Sequence, residues 1–118
     1  MRRLLPLALV ILGLAACGGD DGGGAGASSS EACPSGSVQI AMKDIKFDPE
    51  DSTATVGQDV CWINEDTIDH NAVDEEGGAF ESELFGKGQT FTTTVDEAGK
   101  IDYVCTIHPG MTGTLTVE

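Results

Sequence analysis

Short stretches of alternating apolar and polar residues recur through most of the chain. In residues 37–42, Val38, Ile40 and Met42 fall on one face, and in residues 60–64, Val60 and Trp62 alternate with their neighbours. A period of two is typical of a strand that buries one face. The same pattern predicts strands at residues 53–56, 71–74, 89–95, 100–105 and 112–117.

Turn-forming residues separate these strands at 48–51 (Asp-Pro-Glu-Asp) and at 57–59 (Gly-Gln-Asp). No helical period extends over ten or more residues, and the one stretch with helical character, residues 79–85, is short. Strands at this spacing predict an all-β fold, an antiparallel Greek-key β-sandwich of about seven to eight strands. We place the folded domain at residues 33–118.

The beginning of the chain has the composition of an export signal. A basic head, Met1-Arg2-Arg3, precedes an apolar run at residues 4–14, which is shorter than the roughly 20 residues of a membrane-spanning helix. The run ends in Leu-Ala-Ala-Cys-Gly at residues 14–18, which resembles the lipobox of bacterial lipoproteins. That resemblance implies a signal peptide at residues 1–16 and a diacylglycerol on the Cys17 thiol. The alternative is an ordinary secretory signal that happens to contain a cysteine.

Residues 18–31 are rich in Gly and Ser and have no apolar periodicity. Such a composition is typical of a flexible linker. We therefore interpret residues 17–32 as a lipid-anchored tether. It would hold the domain off the outer face of a bacterial membrane, at the cell surface or in the periplasm.

The charge of the chain limits its partners. Twenty Asp and Glu against six Lys and Arg give a formal net charge of -14, which excludes nucleic-acid binding. The hydrophobic content of 40% argues against disorder through most of the chain. The acidic run at residues 74–76 is interpreted as a solvated face, with a docking patch for a basic redox partner as the alternative. Salt adaptation would give the same composition.

Three potential metal ligands lie close together near the end of the chain. Cys105, His108 and Met111 fall within seven residues. Soft sulfur ligands with imidazoles select copper, and two His and one Cys with a long axial Met describe an electron-transfer copper site. His70 is the other histidine of the chain. Since loops at one end of a sandwich converge, the sequence predicts a copper site that includes it.

At these residues the chain resembles the cupredoxins, the small blue-copper proteins. The resemblance runs from about Val38 to Val117, and the Cys-x2-His-x2-Met loop looks most like the short loop of the amicyanins. It implies that His70, Cys105 and His108 are equatorial ligands and that Met111 is the axial one. It also implies that Asn71 braces the ligand loop by hydrogen bonding.

Two positions depart from the family. Many cupredoxins have proline before each ligand histidine, whereas this chain has Asp69 and Ile107 there. Asp69 is expected to place a negative charge beside the copper edge. The family's partner preference therefore does not transfer to this chain.

The cysteine count bears on the copper site. If Cys17 is lipidated, three thiols remain, and an oxidising compartment favours pairing two of them. A Cys33–Cys61 disulfide leaves Cys105 free for the metal, whereas a rival pairing through Cys105 would remove a ligand. We predict the Cys33–Cys61 bridge.

The predicted function is electron transport. We expect a monomeric, membrane-anchored protein that carries single electrons between redox partners by Cu(II)/Cu(I) cycling and is not an enzyme. Partners would dock near His108 or on an acidic face. The alternatives are storage or delivery of copper, and a structural sandwich without metal.

Overall fold

Two β-sheets make up most of the protein in the computed structural model, which describes residues 26–28 and 32–118. The described residues contain nine strands: β1 (Gly26–Ser28), β2 (Val38–Lys43), β3 (Lys46–Asp48), β4 (Asp51–Ala54), β5 (Asp59–Asn64), β6 (Val73–Asp74), β7 (Thr90–Thr94), β8 (Gly99–Val104) and β9 (Thr112–Val117). One sheet has the order β1-β7-β5-β2-β3 and the other β4-β9-β8-β6. The predicted all-β sandwich is confirmed.

The strand pairing is mixed, although the sequence predicted an antiparallel arrangement. Strand β2 pairs with β5 in parallel, and β4 pairs with β9 in parallel, while the other pairs are antiparallel. Parallel neighbours need a long crossover. The chain supplies one between β2 and β5, where it leaves the first sheet, forms β4 in the second, and returns.

Residues 79–85, the one stretch with possible helical character, do not form a helix. This segment is extended and makes isolated bridges, His70 with Phe85 and Val73 with Glu81. Ser82 donates its N–H to the Ala72 carbonyl and accepts the Ala72 N–H on its hydroxyl oxygen. A helix this short is unstable by itself, so hydrogen bonds to the segment that carries His70 decide its conformation.

Two strands were not predicted. Strand β3 forms a hairpin with β2, and β1 lies within the predicted tether and pairs with β7. The rest of residues 1–31 lies outside the described residues, including the predicted signal peptide at 1–16 and Cys17. In the part of the chain that the structure describes, no helix is long and apolar enough to cross a membrane.

The core between the sheets is built around aromatic residues. Trp62 of β5 lies with its ring centroid 4.9 Å from Phe80, 5.6 Å from Phe91 and 5.4 Å from Tyr103. Gly113 of β9 faces Tyr103 so closely that an added Cβ would overlap the phenol ring. The strands that flank the predicted metal site therefore rest on a rigid, close-packed layer.

A disulfide joins Cys33 to Cys61 of β5, as predicted, with a Cα–Cα distance of 5.7 Å. Among the described residues, Cys105 is the only free cysteine. The bridge closes a sequence separation of 28 residues, which in the chain-entropy model stabilises the fold by about 3.6 kcal/mol. It attaches the start of the domain to a central strand and leaves the Cys105 thiol available.

Candidate metal centre

The predicted ligands come from two segments at one end of the sandwich. Cys105 directly follows β8 and Met111 directly precedes β9, so the ligand loop, residues 105–111, joins two neighbouring strands. The Cys105 N–H donates to the Met111 carbonyl at 3.0 Å, and the Met111 N–H donates to the His108 carbonyl at 3.1 Å. These two hydrogen bonds close the loop.

His70 comes from a different part of the chain. It lies in the connection that follows β5, and its backbone exchanges two hydrogen bonds with Phe85, of 3.1 and 2.9 Å. The side chain of His70 is fully buried. The extended segment containing Phe85 therefore holds His70 beneath the surface and against the ligand loop.

The donor atoms of three predicted ligands converge. Cys105 Sγ lies 3.8 Å from His70 Nδ1 and 3.4 Å from His108 Nδ1, and the two Nδ1 atoms are 3.1 Å apart. In a trigonal set, metal–ligand bonds of about 2.0–2.3 Å place the donors about 3.5–3.8 Å apart. The three atoms fit a metal ion after small side-chain adjustments.

Burial of the site is uneven. His70, Cys105 and Met111 are buried, at 0%, 3% and 1% exposure, whereas His108 is half-buried. Met111 packs in the same apolar cluster as Cys105. The site therefore has a dry interior and one imidazole near the solvent.

Asn71 links the two segments. Its Nδ2 donates to Thr106 Oγ1 at 2.9 Å, and its Oδ1 accepts the Thr106 N–H at 2.8 Å. This pair of contacts is consistent with the bracing role implied by the family resemblance. The sequence did not identify Thr106 as the partner, because a threonine after a cysteine is not distinctive by itself.

Asp66 is a site residue that the sequence analysis missed. Its Oδ2 lies 2.7 Å from His70 Nε2, and its carboxylate also accepts the N–H groups of Asp44 and Ile45 at 2.8 and 3.0 Å. Burial by itself would raise the pKa of Asp66, but hydrogen bonds from Ile45, His70 and Asp44 hold it below the usual value. Nothing local distinguishes Asp66 from the other acidic residues.

Asn64 is a second missed residue. It is fully buried, and its Nδ2 donates to the carbonyls of Ile68 and Phe85, both at 2.8 Å. Its Oδ1 accepts the Asp66 N–H at 2.8 Å. The Asn64 side chain thus forms hydrogen bonds within the turn that precedes His70 and links this turn to the backbone of Phe85.

Exposed apolar side chains surround this end of the molecule. Of the five exposed large hydrophobic residues in the described chain, four adjoin or bond to these segments: Ile45, Ile68, Leu84 and Ile107. Asp69 is exposed, and its Oδ1 would lie 3.2 Å from a Cβ added to Gly86. Exposed apolar residues thus adjoin both ligand-bearing segments, and an acidic residue stands before His70 where many cupredoxins have proline.

Comparison with known families agrees with this geometry. The sequence model described as copper binding proteins, plastocyanin/azurin family, matches residues 34–118. That range contains the whole described sandwich except β1 and residues 32 and 33, and it includes all four predicted ligands.

Amicyanins and a plastocyanin are similar to this chain. Amicyanin from Paracoccus versutus is 34% identical over 89 residues, which are 72% of this chain and 67% of that protein. Plastocyanin from Scenedesmus fuscus is 33% identical over 84 residues, covering 61% of this chain and 86% of the relative. The oxidised state of a proline-to-alanine mutant of amicyanin superimposes with a TM-score of 0.73 at 27% identity, covering 80% of this chain and 94% of that one.

Proposed function

The chain belongs to the plastocyanin/azurin family of copper-binding proteins, and from this premise we propose that it carries single electrons between redox partners outside the cytoplasm. The cofactor is one copper ion. The observation that carries the proposal is the buried convergence of Cys105 Sγ with the Nδ1 atoms of His70 and His108. One thiolate and two imidazoles in a trigonal set are the ligands of electron-transfer copper sites.

Four side chains hold the copper in this proposal. His70 and His108 would supply imidazole nitrogens, Cys105 a thiolate and Met111 a thioether sulfur. Copper bound there supplies reversible one-electron exchange. The protein keeps the ligand positions nearly constant, because the backbone hydrogen bonds of the loop and the Asn71–Thr106 pair hold them.

Burial and ligand number favour electron transfer over substrate chemistry. Cys105 and Met111 are almost inaccessible to solvent, so the thiolate is shielded from water and small reactants. Four protein ligands complete the set required by an electron-transfer site. We therefore propose that the protein is not an enzyme.

Electrons would enter and leave through the exposed edge of His108. This imidazole is half-buried, and the adjacent Ile107 exposes 48% of its surface. Ile68 and Leu84, which adjoin the segments that hold His70, expose 41% and 48%. A redox partner that covers these side chains would bring its own cofactor close to the site. The acidic residues elsewhere would favour the approach of a basic partner.

Copper titration of the exported protein tests the ligand set. Addition of Cu(II) should produce an intense blue colour from thiolate-to-copper charge transfer, and Cys105→Ala should abolish it. Met111→Leu should keep the colour but raise the reduction potential, since Cu(II) loses a donor. Met42→Leu is the matched control, because Met42 is equally buried in β2 and should leave the potential unchanged. A blue colour in Cys105→Ala would refute the assignment.

A second measurement separates transport of electrons from storage or delivery of copper. A carrier should be reduced and reoxidised reversibly with its copper retained in both states. Loss of copper to a chelator on each reduction would instead support delivery.

We also propose that the protein is a monomer attached to the membrane by a lipid on Cys17. The Leu-Ala-Ala-Cys-Gly sequence at residues 14–18 supports the lipid anchor. Attachment is stable when more than one acyl chain is present. Protein made in cells should partition into detergent, and Cys17→Ser should release or misprocess it. Recovery of the unsubstituted protein in the soluble fraction with an unmodified N-terminus would contradict the anchor.

A further inference from the structure

The hydrogen-bond partner of the His70 imidazole at Nε2 is a carboxylate and not a neutral group. The imidazole of His70 is fully buried, with Nδ1 directed at Cys105 and His108 and Nε2 at 2.7 Å from Asp66 Oδ2. A carboxylate accepts a hydrogen bond but cannot donate one. Neutral His70 must therefore carry its proton on Nε2, which leaves the Nδ1 lone pair free to bind a metal.

The position of Asp66 is fixed from several sides. The Asp44 and Ile45 N–H groups donate to its carboxylate, and Asn64 Oδ1 accepts its backbone N–H. Asp44 and Ile45 have φ angles of 55° and 58°. Positive φ is unusual for a β-branched residue such as isoleucine. In this conformation the N–H groups of Asp44 and Ile45 both donate to the Asp66 carboxylate.

We propose that Asp66 is a positioning residue that fixes the tautomer of His70 and whose negative charge, held by the Asp44–Ile45 turn, favours Cu(II) over Cu(I). This inference rests on the proposed copper site. The charge lies one imidazole away from the metal, and a nearby negative charge stabilises the more positive oxidation state. A neutral acceptor would orient the ring equally well but would lack this effect.

Asp66→Asn is the decisive variant, because asparagine keeps the shape and one acceptor oxygen but removes the charge. We expect the equilibrium constant for reduction to shift about tenfold towards Cu(I), which is about 59 mV for a one-electron couple. The affinity for Cu(II) should fall about tenfold, as is typical when a partner of a ligand histidine is lost. The blue colour should remain.

Asp74→Asn is the matched control. Asp74 is buried, and its carboxylate accepts the N–H groups of Glu76, Gly78 and Ala79 without contacting a predicted ligand. Its neutralisation should lower the stability of the fold and change the reduction equilibrium less than twofold. Equal shifts in the two variants, or no shift in Asp66→Asn, would overturn the proposal.

A measurement without copper keeps the inference testable if Asp66→Asn fails to fold. Nitrogen NMR of the neutral His70 imidazole in the metal-free protein should show its proton on Nε2. Protonation on Nδ1 would overturn the proposal. Failure of the copper site itself would appear separately, as absence of the blue colour in the unsubstituted protein.

Discussion

The two segments that supply the histidines are built in opposite ways. The connection containing His70 is held by side-chain hydrogen bonds, because the buried Asn64 binds two carbonyls across it and the half-buried Asp66 binds the imidazole. The ligand loop, residues 105–111, is closed mainly by its own backbone and exposes Ile107 at 48%. One imidazole is buried and anchored, and the other lies near solvent.

This difference separates two requirements of an electron-transfer site. Constant ligand geometry needs rigid support, which buried and fully hydrogen-bonded polar groups provide. Electron exchange needs one ligand close to the partner. The protein meets these requirements with different segments, and Asn71 joins them through Thr106.

The largest expected effect comes from removing each imidazole in turn. His70→Gly and His108→Gly should both lose the blue colour. Imidazole added to the solution should restore it only in His108→Gly, because the position of His108 is accessible from solvent and that of His70 is fully buried. Visible spectra during an imidazole titration measure this. Equal rescue of both variants would remove the distinction between the segments.

Removal of the disulfide tests whether the fold can lose stability without losing the copper site. A Cys33→Ser and Cys61→Ser double variant should lose about 3.6 kcal/mol of unfolding free energy. Its blue colour should be kept, because Cys105 remains the free thiol. Denaturant unfolding and copper titration would check both. Loss of the colour in folded protein would show that the bridge also shapes the site.

Truncation of one residue in each segment compares how much the His70 segment and the ligand loop contribute to stability. Asn64→Ala leaves the buried carbonyls of Ile68 and Phe85 without their donor, so we expect a loss of about 1–3 kcal/mol. Ile107→Ala removes exposed atoms and should change stability by less than about 0.5 kcal/mol. Chemical denaturation of both variants gives the comparison. A similar loss in both would mean that the ligand loop is as firmly held as the His70 segment.

A smaller effect than that of Asn64→Ala is expected at the link between the segments. Asn71→Ala removes two hydrogen bonds to Thr106, at a net cost of about 1 kcal/mol, and should broaden the copper spectrum as the loop loosens. Thr106→Ser is the control, since serine keeps the hydroxyl group and the N–H. An unchanged spectrum in Asn71→Ala would show that backbone hydrogen bonds suffice to hold the loop.

Much of the fold was predictable because strand formation leaves a local pattern. The alternation at Val38, Ile40 and Met42 located β2, and the alternation of Val60 and Trp62 with their neighbours located β5. The conformation of residues 79–85 was not predictable, because the segment shows neither a strand alternation nor a full helical period. Its extended form depends on hydrogen bonds to Ala72, which are distant in sequence.

The predicted ligands were also accessible to sequence reasoning. Cys105, His108 and Met111 lie in one loop, so their spacing is visible in the chain itself. His70 followed only because the chain has no third histidine. Asp66 was not identified, because its role requires a contact with His70 and with the turn at Asp44 and Ile45.

The sequence by itself determined the strand pattern, the kind of metal that the residues Cys105, His108 and Met111 suit, and the acidity of the chain. These properties follow from side-chain chemistry and local periodicity. Tertiary structure alone decided which imidazole is buried, which carboxylate meets it, and which strands pair in parallel. Each of these depends on segments that are far apart in the chain, and only the packing of the two sheets brings them together.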